Sequence, residues 1–150
     1  MTTDVTPDQL RDALRNNEAE RWERAAVELL VWDETWINRL AVDPTAAGRL
    51  YVIDPAGTAE RSARIVWKAL WTQAAEDGRA ASSSLRVLKV AASLAGNTPV
   101  QLQELAADTL GVNTKAAVLK AIVDAFGDLS APKPFDPDEW LGGDSGSEAV

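Results

Sequence analysis

The chain has 150 residues, room for one domain of ordinary size or a domain and a tail. Acidic residues outnumber basic ones 23 to 15, a formal charge of −8, and the hydrophobic share of 46% is that of an ordinary globular sequence. The absence of both Cys and His excludes disulfide frameworks, thiol nucleophiles, iron–sulfur sites, imidazole ligands and Ser-His-Asp triads.

No stretch approaches the roughly 18 apolar residues of a membrane span. The start, MTTDVTPDQL, lacks the basic residues and apolar run of a secretory signal, so a cytoplasmic location with no membrane association is expected. Charge is uneven: residues 131–150 hold five acids and one base, half of the total excess, and only residues 79–130 are net positive, by one charge. Nucleic-acid binding starts from phosphate neutralisation by Lys and Arg, so this balance disfavours it.

Thr6-Pro7-Asp8-Gln9 is a helix start, with Thr6 as cap, Pro7 at the first helical position and Gln9 where a capping box places it. Neither Gly nor Pro follows until Pro44, which predicts one long helix over about residues 7–41, with at most one break. Arg15/Glu18, Glu20/Arg24 and Arg24/Glu28 are spaced to pair on its surface. Trp22, Ala26, Leu29, Trp36 and Leu40 form its apolar stripe, and the part from Ala25 to Trp32, apolar nearly all round, belongs at the centre of the fold.

Asp43-Pro44 stops that helix or starts another. Over residues 50–66 two readings stand level: a small β-hairpin, Leu50–Ile53 against Ala63–Val66 around the Asp54-Pro55-Ala56-Gly57 turn, or a helix running from Thr58. A helix over 67–77 is expected, with Trp67, Leu70, Trp71 and Ala74 on one face. Ser82-Ser83-Ser84 is read as the cap of a helix through Leu85, Leu88, Ala92 and Ala95 to Gly96. Thr98-Pro99 opens a helix through Leu102, Leu105, Ala106 and Leu110 to Gly111. Asn113 is read as the cap of a last helix with Val118, Ile122 and Phe126 on its apolar face, ending at Gly127. The expected fold is therefore mainly α: a compact multi-helix bundle over 6–130, containing a helix-turn-helix-like pair at 98–127, followed by an acidic, disordered tail at 131–150.

The run RVLKVAASLAGNTPVQLQELAADTLGVNTKAAVLKAIVDAFG, with Trp67 and Leu70 upstream, resembles a recurring end region of small uncharacterised helical proteins of bacteria. The resemblance spans about residues 67–127. Its motifs are packing and capping residues, so it implies a helical fold and transfers no activity.

The sharpest chemical candidates are few. Residues 98–126 carry a helix-turn-helix outline in which Asn113, Thr114, Lys115 and Lys120 would face DNA. That face lacks the Arg, Asn or Gln that read base edges along its middle, and Asp124 adds repulsion. Glu20, Glu23 and Asp33-Glu34 lack the His of a Glu-x-x-His metal motif, so no metal or cofactor is expected. Asp33, between Trp32 and Trp36, must be paired if buried, to an Arg or to indole N–H groups; a catalytic carboxylate is the lesser reading. Glycine-rich phosphate loops and nucleophile motifs are missing, so the chain is not expected to be an enzyme. Trp32, Trp36, Trp67 and Trp71 form two i,i+4 pairs expected to fill gaps between helices. Phe135, Trp140 and Leu141, interleaved with Asp136, Asp138 and Glu139, form an acidic segment with three apolar anchors. Together these features point to a non-catalytic protein–protein interaction module of accessory, inhibitor or immunity type, with that segment contacting another protein. The alternative is a DNA-binding, transcription-related protein. A homodimer through the first helix is left open.

Overall fold

The computed structural model describes residues 5–54, 61–96, 98–106, 110–127 and 138. Among them are seven helices and a two-stranded antiparallel sheet, in the order α1 (Pro7–Asn16), α2 (Arg21–Asp33), α3 (Thr35–Val42), β1 (Tyr51–Asp54), β2 (Ser62–Ile65), α4 (Trp67–Asp77), α5 (Ser82–Ala95), α6 (Leu102–Ala106) and α7 (Val112–Phe126).

The capping box forms: Thr6 Oγ1 accepts from the Gln9 amide at 3.1 Å, and Gln9 Oε1 accepts from the Thr6 amide at 3.0 Å. The long first helix is broken twice, into α1, α2 and α3. The first break follows Asn16, where the backbone turns extended. The second is Glu34, held at φ 64°, which ends α2 and starts α3. With α1 ended, the Arg15/Glu18 pair gives way to a contact between helices. Arg15 Nε and Nη2 donate to the Glu28 carboxylate at 2.8 and 2.9 Å, so α1 is tied to α2.

The hairpin is the observed alternative at 50–66. Tyr51 pairs with Ile65 and Ile53 with Ala63. Tyr51, Ala63 and Ile65 are buried, giving the strands one inner face. Residues 55–60 of its connection lie outside the described residues. Between α3 and β1, Asp43 Oδ1 accepts from the Thr45 amide and hydroxyl at 2.8 and 2.7 Å. These bonds from Thr45, hydroxyl first, hold the Asp43 carboxyl below its usual pKa. Arg49 bridges this turn to Gln73 of α4.

Helix α4 occupies the expected span and ends at Gly78 in the left-handed conformation. Ser82, Ser83 and Ser84 lie inside α5 rather than capping it; Ala81 is the cap and offers no side-chain bond. Helix α6 is five residues long and starts at Leu102, three residues after Pro99. Asn113 is the second residue of α7, and Gly111 is the cap.

Helix α2 packs against both α5 and α7, which places its apolar middle at the centre of the fold. Helix α1 packs on β2 and α3, and α4 on α5. Leu10, Leu30, Leu40, Leu50, Leu88 and Trp36 are the largest fully buried side chains. Each full burial of a Leu contributes about 1.5–3 kcal/mol, so these residues dominate the core. No helix among the described residues is long and apolar enough to cross a membrane.

Candidate functional site

The four tryptophans expected in the core divide. Trp36 and Trp67 are buried and Trp71 is half-buried, but Trp32 is 47% exposed, as is Trp22 at 48%. Trp36 Nε1 donates to the Ser84 carbonyl at 2.9 Å, and Trp67 Nε1 donates to Glu23 Oε1 at 3.4 Å. Glu23 thus acts as an acceptor for a core indole. Among the described residues no group of three or more Asp or Glu side chains is placed to hold a metal ion.

Asp33 closes α2 with a half-buried side chain whose Oδ2 is fully buried without a hydrogen-bond partner. The expected Arg or indole partner is not what meets it. Trp36 is turned to Ser84, and the polar neighbours of Asp33 are the hydroxyls of Thr35 and Ser84, which lie 3.3 Å from each other. Burial raises the Asp33 pKa; those hydroxyls pull it back in part and the Glu34 charge adds to the rise. The group stands at a helix end next to Glu34, whose φ of 64° is strained.

The four residues weighed for DNA contact do not assemble into a basic face. Lys120 is committed to Asp124 at 2.6 Å in its own helix. Lys115 Nζ reaches back to the Ala106 carbonyl at 3.5 Å. Thr114 is half-buried, and Asn113 lines the groove between α2 and α7. The turn glycine of the helix-turn-helix outline, Gly111, is the cap of α7, and residues 107–109 before it lie outside the described residues.

Of the acidic segment, Asp138 is described, helical and exposed. Phe135, Asp136, Glu139, Trp140 and Leu141 lie outside the described residues, as does the rest of the tail.

Sequence reasoning missed the largest surface feature. On α7, Val118 and Ala121 face the core. Phe126, expected beside Val118 and Ile122, instead belongs to a second apolar line. Val112, Ala116, Leu119, Val123 and Phe126 follow one another at four-three-four-three spacing, and all five are exposed. The large members keep 84% (Val112), 62% (Leu119), 41% (Val123) and 66% (Phe126) of their surface in water. At 100° per residue this line lies on the side of α7 turned away from Ala121. Its signal was present in the sequence: α7 is apolar on two faces, and its packing against α2 and α5 uses only one.

A groove of about 630 Å³ runs beside this stripe between α2 and α7, with Ala25, Ala117 and Ala121 as its floor and Trp32 at its edge. The ion pairs Arg15–Glu28 and Lys120–Asp124 stand on its walls. The arrangement offers apolar contact area with charges already paired, which is the chemistry of a docking face.

No family model, curated protein or solved structure matches the chain, so the resemblance over residues 67–127 stands on those residues alone.

Proposed function

We propose that this protein is a non-catalytic protein–protein interaction module, an accessory, inhibitor or immunity-type protein. The observation that carries the reading is the stripe on α7: four large apolar side chains left in water on one face of a packed helix. Two exposed tryptophans, Trp22 and Trp32, belong to the residue type most enriched in interface anchors. The ionisable groups support the reading from the other side, because the charges beside the groove are already paired, Arg15–Glu28 between α1 and α2 and Lys120–Asp124 within α7. The acidic segment supplies a second apolar surface, with Phe135, Trp140 and Leu141 as anchors and Asp136, Asp138 and Glu139 steering a basic rim on the partner.

The test is capture from native lysate, followed by calorimetry of the purified pair. The expected result is one protein retained in stoichiometric amount, with its affinity reduced at least tenfold when residues 132–150 are deleted. Equal affinity without the tail refutes its role as anchor. Turnover of a metabolite by the purified chain, abolished by Asp33→Asn, refutes the non-catalytic reading altogether.

A further inference from the structure

The α7 stripe needs a cover, and three occupants compete for it: a second copy, a foreign helix, or the acidic segment of the same chain. At the exposures given above its four large side chains offer on the order of 450 Å². That is about half of the ~800 Å² each partner brings to a stable interface between two proteins. A second copy is also opposed by charge. A two-fold axis at Leu119, the midpoint of the stripe, would set Lys120 beside its own copy. Area and charge both favour a smaller, acidic occupant.

We propose that the stripe on α7 is the docking site of this chain's own segment Phe135–Leu141. The match is one of size, charge and reach. Phe, Trp and Leu anchors cover roughly 450 Å² when laid against an apolar face. The segment carries Asp136, Asp138 and Glu139, while Lys115 borders the stripe on one side and Lys120, already paired with Asp124, on the other, so Lys115 supplies the counter-charge. Seven residues, 128–134, separate Gly127 from Phe135, and the eight Cα-to-Cα steps reach up to about 26 Å extended, whereas the 15 residues of α7 span about 22 Å. The chain leaves α7 through Gly127 at φ 88°. Tethering raises the effective concentration of the segment to the millimolar range, so a contact too weak to hold a separate molecule is occupied within one chain. This pairing uses the same stripe and the same anchors as the partner-binding reading, so a partner must displace the segment; the label experiment reads the chain alone and so tests the pairing apart from that reading.

The chain has no cysteine, so a single Gly142→Cys change gives one attachment point for a nitroxide just beyond Leu141. The expected result is a loss of at least half the intensity of α7 amide signals, reaching from Phe126 to the Val112–Leu119 half of the helix. Adding Phe135→Ser, Trp140→Ser and Leu141→Ser, all outside the described core, should confine the loss to the end nearest Gly127. An equimolar mixture of labelled chain and isotope-enriched unlabelled chain should show no loss. A profile unchanged by the three serines, or no loss beyond the Gly127 end in the parent, overturns the proposal. So does a loss in the mixed sample, which assigns the cover to a second copy.

Discussion

Replacing Asp33 by Asn should stabilise the protein at neutral pH. The carboxylate sits at the C-terminus of α2, where the helix dipole disfavours negative charge. Its Oδ2 is buried without a partner, and Glu34 adds a second negative charge next door. An unsatisfied buried polar atom costs about 1–3 kcal/mol. The side chain is only half-buried, and water screens the rest, so the low end applies and the expected gain is about 1 kcal/mol. The sign of the pH dependence follows from the raised pKa. Between the unfolded value near 3.8 and the higher folded value, the folded state binds the proton more tightly than the unfolded chain. The cost of the charge is therefore complete above the folded pKa and fades as pH falls towards 3.8. Urea denaturation of both proteins across pH 4–7.5 measures this. The advantage of the variant should be largest at the top of that range and vanish at the bottom. Asp33→Asn destabilising by 1 kcal/mol or more at pH 7 would show instead that the carboxylate is a needed acceptor for the Thr35 and Ser84 hydroxyls.

Trp36→Phe removes the indole bond to the Ser84 carbonyl and part of a buried ring; about 2 kcal/mol should be lost, read as a fall in Tm of roughly 4–8 °C. Glu34→Gly relieves a non-glycine residue at φ 64° and should raise stability by up to about 1 kcal/mol; a loss in urea titration would mean that the Glu34 side chain has a stabilising role. Gly127→Ala should cost about 1–3 kcal/mol, because φ 88° is left-handed and the new Cβ meets the Arg21 guanidinium; a neutral result by thermal melting refutes the tight α2–α7 closure there. The carboxyl of Glu104 is held below its usual pKa by Lys89 first and by the Gln101 amide second. Its tie of α6 to α5 is therefore complete above the unfolded pKa and lost as pH falls through the lower folded value, and the hydrogen-exchange protection of residues 102–106, taken against the intrinsic rate at each pH, should fall on that descent.

Local rules made much of the fold legible. The Thr6 box and the spacing of Trp67, Leu70 and Ala74 are short-range signals, and each marked its element. The breaks in the first helix were not legible, because their causes are tertiary. Glu is a good helix former, and nothing near residue 34 announces a positive φ. The kink is imposed by what lies beyond it: it aims α3 so that Trp36 reaches Ser84, 48 residues on. Such a bond between distant residues leaves no local pattern.

The same limit hid the α7 stripe. Its apolar residues obey the helix period, and periodicity alone says that a face is apolar without saying which of two faces meets the core. That choice is made by α2, whose alanines at 25 and 26 let α7 approach on the side of Ala121 and leave Leu119 outside. A helix with one apolar face spends it on folding. One with two has a face in surplus, and the surplus here lies beside Lys115, in a chain whose last twenty residues carry half of its net negative charge. The docking proposed for this face therefore draws on apolar area that the core does not use.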